Sequence, residues 1–142
     1  MTKNKILDKY KLQIKNVEIL DLLIEHPIKP IESIYNYDIN IQHKANTKDQ
    51  ILAAILTVHV FSEDKKNRLG KITTSCIFEI KDLQNIIKVP NEKVDFPKDL
   101  IEIINSLTIS TTRGVMFSQF KGTFLHNAIL PLIDPSAFKR DK

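Results

Sequence analysis

Tryptophan is missing from this 142-residue chain, glycine occurs three times and cysteine once. The single thiol, Cys76, excludes an intrachain disulfide framework and a multi-cysteine zinc site, and it fits a reducing compartment. Its place in the alternating run Thr74, Cys76, Phe78 marks an inert buried thiol, since a nucleophile needs an electropositive, partly exposed niche. No apolar run approaches the ~18 residues of a membrane span, and the start M-T-K-N-K-I-L-D-K-Y carries charges without an apolar core. A soluble, cytoplasmic protein without direct membrane insertion is expected. The net charge of +4 is mildly basic. The lysines are scattered, with neither a basic stripe nor basic and aromatic residues interleaved on one face, so nucleic acid is not an expected partner.

The signatures of chemistry are equally sparse. In T-T-R-G-V-M-F-S-Q-F-K-G-T-F-L, residues 111–125, the order Lys121-Gly122-Thr123 reverses the Gly-Lys of a phosphate loop. Phe117 and Phe120 stand where a close backbone approach to phosphate wants small residues. No nucleotide or other cofactor is expected. His26, His43, His59 and His126 form no H-x-x-x-H pair; His43 and His59 fall on neighbouring strands, and hydrogen-bonded interior or interface roles suit them better than metal ligation. Asp38, Asp134 and the Glu63-Asp64 pair have no partner arrangement for acid–base work, and no G-x-S-x-G elbow occurs. The chain reads as a non-enzyme.

What is present is strand and helix patterning with few interruptions, which predicts one domain over residues 1–142. From Leu12 to Ile24 the apolar phase shifts across Lys15-Asn16, as a β-bulge would shift it, and Pro27 and Pro30 end the strand. Tyr35, Tyr37, Ile39, Ile41 and His43 alternate with polar residues, a half-buried strand with one wet face. Residues 51–61, I-L-A-A-I-L-T-V-H-V-F, read as a central strand; periodicity alone also admits a helix, but the flanking strand patterns oppose it. S-E-D-K-K-N-R-L-G then turns the chain into Ile72, Thr74, Cys76, Phe78 and Ile80. The period changes to a short helix from Asp82 to Val89 and a long one opened by Pro97. The expected class is α+β: a four-stranded antiparallel meander, a short and a long helix, and an apolar C-terminal segment.

Two features of the late chain invite a role. Ser106, Ser110 and Gly114 recur at i, i+4 and i+8, a small-residue seam that allows close approach of another element or lies under the protein's own sheet. Beyond it, Val115, Phe117, Phe120, Phe124, Leu125, Ile129 and Leu130 are too apolar for a free loop. They cover a core, meet a partner or line a groove. Gly114 is placed to end the helix and Gly122 to permit a tight reversal.

Y-D-I-N-I in the second strand, Phe96-Pro97 before the long helix, Thr112-Arg113-Gly114 at its end and the tail L-P-L-I-D-P-S-A-F occur in an order that resembles the SecB family of protein-export chaperones. The resemblance spans about Tyr10 to Phe138. It implies nucleotide-independent binding of non-native, extended polypeptides and self-assembly as a dimer or tetramer. It places the first strand at an interchain edge and Ser106, Ser110 and Gly114 at a helix interface. Client contact then falls on Tyr35, Tyr37, Phe117, Phe120, Phe124 and Leu130. Three departures qualify export. The chain is basic where export members offer carboxylates to the SecA motor, residues 115–127 look inserted, and little chain follows Phe138. A module dedicated to one partner, such as an antitoxin, is the alternative.

Overall fold

The computed structural model describes residues 3–25, 34–87 and 95–134. Helix α1 (Lys3–Tyr10) leads into strands β1 (Gln13–Ile24), β2 (Tyr35–Asn46), β3 (Ile51–Ser62) and β4 (Arg68–Glu79), followed by a single-turn α2 (Leu83–Ile86) and the long α3 (Lys98–Phe120). Pro27 and Pro30, the expected helix end at Val89 and the tail beyond Asp134 lie outside the described residues.

All four strands pair antiparallel in one sheet, so the expected α+β class holds. The connectivity is not a plain meander. β2, β3 and β4 follow one another through tight turns, but β1 lies beside β4, giving the order β1-β4-β3-β2 of a Greek key. Alternation tells which face a residue occupies and says nothing about which strand is its neighbour.

β3 is the centre. Leu52, Ala54, Leu56, Val58 and Val60 are fully buried on the inner face, while Ile51, Ala53, Ile55, Thr57 and His59 on the outer face are half-buried. Its β-branched run suits a strand with neighbours on both sides. The β2–β3 turn is held by Asn46 and Asp49, whose side chains bond each other and the Asp49 N–H. In the β3–β4 turn, Asp64 accepts from Ser62 and the Lys66 N–H, and these bonds hold its carboxyl below the usual carboxylate range.

β1 carries the expected bulge between Ile14 and Asn16, and a second between Ile19 and Asp21 that leaves Leu20 out of the pairing. The second was also legible: Ile19-Leu20 followed by Leu22 is another break of phase. The strand starts from α1, which the sequence reading did not anticipate. Tertiary contacts of its last two residues fix this short helix. Buried Tyr10 donates its hydroxyl to Asp99 Oδ1 at 2.5 Å in the first turn of α3, and Lys9 reaches Asp99 Oδ2 at 3.1 Å.

α3 crosses the inner face and buries Leu100, Ile104, Ile109, Met116 and Phe120 against it. Pro97 stands at its N-cap, as expected of a residue with no N–H to lose. The helix does not stop at Gly114; it runs on to Phe120, and Gly122, at φ +81°, makes the reversal. A mid-helix glycine costs about 1 kcal/mol, less than burying Met116 and Phe120 returns.

Candidate functional site

The stripe of α3 that meets the sheet is polar at regular intervals. His43 Nε2 lies 2.7 Å from Asn105 Oδ1, and the hydroxyls of Thr74 and Thr112 are 2.7 Å apart. Between them the Thr108 hydroxyl donates to the Ile104 carbonyl and touches the Cys76 sulfur. Asn105, Thr108, Thr112, Thr74 and Cys76 are all buried. Burial pushes the Cys76 thiol up, against the pull of Thr108, so the thiolate is disfavoured. His43 and His59 do not meet. His43 pairs across from Ala54 and faces α3, whereas His59 pairs across from Asp38 on the other face. His59 Nδ1 is buried without a hydrogen-bond partner; its pKa is lowered by desolvation first, then by Lys71 and Arg68. Among the described residues no three His, Cys, Asp or Glu side chains are grouped to hold a metal ion.

Past Lys121 the chain reverses and returns beside α3 towards its middle. Thr123 caps the turn by donating to the Phe120 carbonyl and accepting from the Leu125 N–H. Buried Leu125, Ala128 and Leu130 pack the segment down, and several contacts also hold its main chain. Arg113 Nε donates to the Leu130 carbonyl at 2.8 Å and Nη2 to the Pro131 carbonyl at 2.9 Å. Tyr35 Oη approaches the Phe124 carbonyl at 3.5 Å, and the Ile129 main chain lies close to the Tyr37 hydroxyl. Desolvation under this cover is the main reason that Tyr37 is pushed up to about 12, with Tyr35 adding to it. Leu125 reaches the sheet at Gly70, where a Cβ would stand 2.6 Å from Leu125 Cδ1 and 3.5 Å from Phe120 Cζ. The glycine of β4 leaves room for both apolar side chains.

The six expected client residues therefore divide. Tyr35, Tyr37 and Phe124 are half-buried along the join of β2 and the returning segment, and Phe117 is 44% exposed with its ring 6.1 Å from His126. Phe120 at 0% and Leu130 at 1% exposure are core residues and present no surface, which corrects their placement in a groove wall. Continuing the helix past Gly114 explains the difference: Thr112, Met116 and Phe120 share the inner stripe, and Phe117 points away. Ile129 and Leu132, at 49% and 92% exposure, are apolar surface that the sequence reading did not assign to client contact. Arg113 was likewise noticed as a motif residue but given no task. Ser106 is half-buried and Ser110 and Gly114 are exposed; a Cβ at Gly114 would meet nothing within 4 Å, so the seam does not lie under the chain's own sheet.

Among the described residues most of the exposed large apolar side chains lie on β1, where Ile14, Val17, Ile19, Leu20, Leu22 and Leu23 are each 36–52% exposed. Ion pairs border it: Lys71 with Asp21 at 3.0 Å and Arg68 with Glu25 at 2.8 Å. Lys71 holds the Asp21 carboxyl below the usual range. No described helix is long and apolar enough to cross a membrane.

A four-stranded Greek-key sheet beneath one long helix, with an apolar segment returning along it, is a SecB-like fold. Among solved structures the chain is similar to the SecB-like chaperone of Mycobacterium tuberculosis in complex with a peptide from the HigA1 antitoxin. The TM-score is 0.55 at 11% identity, over 90% of this chain and 88% of that one. A Streptococcus agalactiae protein of unknown function matches at a TM-score of 0.43 and 8% identity, over 79% of this chain and 89% of that one, a likeness too slight to carry weight. No protein-family profile and no curated protein matches the sequence.

Proposed function

We propose that this protein is a nucleotide-independent, non-enzymatic chaperone that binds non-native polypeptide segments and works as a soluble, cytoplasmic homo-oligomer. The observation that carries the reading is an apolar strip flanking the returning segment, where Phe117 and Leu132 are exposed and Tyr35 and Tyr37 half-buried. Such a strip offers aromatic anchors to an apolar chain. Self-association draws support from β1: covering six half-exposed large side chains returns roughly 1 kcal/mol each, and the strand edge offers its unpaired main chain to a second copy. Ser106, Ser110 and Gly114 are the part of α3 that another helix can approach most closely.

A second reading, a module serving one partner, draws on the solved SecB-like chaperone with its antitoxin peptide and on the net charge of +4, which suits delivery to an export motor poorly. Suppressing aggregation of several unrelated unfolded proteins separates the two, because a dedicated module protects only its own partner. For either reading, Phe117→Ala combined with Tyr35→Ala weakens binding of a fluorescein-labelled unstructured apolar peptide by about tenfold or more, with the fold retained. Unchanged affinity in that folded double variant removes the strip from the binding surface.

A further inference from the structure

The returning segment is itself an apolar polypeptide; its buried side chains pack on the core, and several side chains of β2 and α3 grip its main chain. Arg113 spans two successive carbonyls, those of Leu130 and Pro131, with its planar fork. Tyr37 stands beside the main chain of Ile129, and Tyr35 approaches the carbonyl of Phe124. Every polypeptide has these groups, so the same side chains suit any chain threaded along that path. From Ala128 to Pro131 the residues alternate between buried and exposed, as in an extended chain, with Ala128 and Leu130 turned inward. Main-chain hydrogen bonds plus slots for alternate apolar side chains are how extended peptides are recognised.

We propose that Arg113, Tyr37 and Tyr35 form a main-chain cradle for an extended apolar polypeptide, and that residues 124–131 occupy it as a strap which an incoming client displaces. The inference rests on the polypeptide-binding reading above and adds to it the site and its resident competitor. A client then binds only the fraction of molecules whose strap has left, and its apparent affinity is reduced by that fraction. Loosening the strap from its own side tightens client binding. Loosening it from the cradle side brings no gain, because the client needs the same fork.

The test uses the full chain, a fluorescein-labelled unstructured apolar peptide, and amide hydrogen exchange. Saturating peptide is expected to remove protection at the amides of Ala128 and Ile129 in the wild-type protein. Leu130→Ala is expected to bind the peptide about tenfold more tightly. Arg113→Met is expected to speed exchange at Ile129 without peptide and yet bind no more tightly than wild type. Peptide binding that leaves the Ala128 and Ile129 amides protected overturns the strap while sparing the function proposed above. No binding by either wild type or Leu130→Ala overturns both. Should Leu130→Ala fail to fold, wild-type exchange decides alone.

Discussion

The two edges of the sheet are built from similar amounts of apolar residue and have opposite fates. On β2 the inner row is covered along its length. Tyr35 and Tyr37 lie under the returning segment, Ile41 is buried, and His43 meets Asn105 and the Phe96 ring. Its outer row, Asn36, Asp38, Asn40, Gln42, Lys44 and Asn46, is polar and suits water. On β1 the inner row of Ile14, Val17, Ile19 and Leu22 has no such cover, and Leu23 on the outer row is apolar too. The rest of the outer row, Gln13, Asn16, Glu18 and Asp21, is polar as on β2, so what sets β1 apart is an inner apolar row left bare. The comparison teaches that the returning segment covers one half of the inner face and leaves the other half bare.

The largest effect expected from disturbing this contrast is on the closed side. Phe120→Ala empties the site where α3, Gly70 and Leu125 converge and costs about 3–5 kcal/mol of folding free energy, read as a lower denaturation midpoint at unchanged slope. A loss below about 1 kcal/mol would mean that the covered half is not the core. Next comes the open side. Ile19→Lys with Leu22→Lys leaves the monomer folded and weakens self-association at least a hundredfold, about 2.7 kcal/mol, seen as a fall in mass by light scattering. An unchanged oligomer would place the interface elsewhere, and a monomeric wild-type protein would remove it.

The smallest effect belongs to the Tyr10–Asp99 clamp, which ties α1, the helix that leads into β1, to α3. The Tyr10 hydroxyl first, and Lys9 after it, lower the folded-state pKa of Asp99 below its ordinary value of 3.8. The carboxylate therefore contributes stability above the unfolded-state pKa, and the contribution disappears as pH falls through the folded-state value. Asp99→Asn is expected to cost under about 1 kcal/mol at neutral pH, since the group is partly exposed, and to flatten stability against pH below about 4. An unaltered acid limb in the variant would discount the clamp.

Most of the strand content was legible because alternation is a local signal: Tyr35 to His43 and Ile72 to Ile80 announce their faces residue by residue. The partner of β1 was not, since pairing with β4 is a matter of crossing direction, on which the pattern is silent. Helix α1 escaped because eight mostly polar residues form a stable helix only when a contact such as Tyr10 with Asp99 holds them. At the candidate site the apolar composition of residues 115–133 was plain, but reading Gly114 as a helix stop discarded the i+4 step from Met116 to Phe120. That single boundary turned a core residue into a groove wall. Arg113 was hidden for another reason: its partners are main-chain carbonyls, which leave no trace in side-chain chemistry.

The hydroxyl and amide pairs beneath α3 make the join between helix and sheet a keyed one. An all-leucine stripe slips by a turn at little loss, but a shift of α3 by one turn would part Asn105 from His43 and Thr112 from Thr74 together, leaving buried polar groups unmatched at roughly 1–3 kcal/mol apiece. The helix accordingly has one seating. Arg113 follows directly after Thr112, so the tooth nearest the cradle also indexes the position of its fork. A single seating for the helix thus also fixes where the returning segment is held.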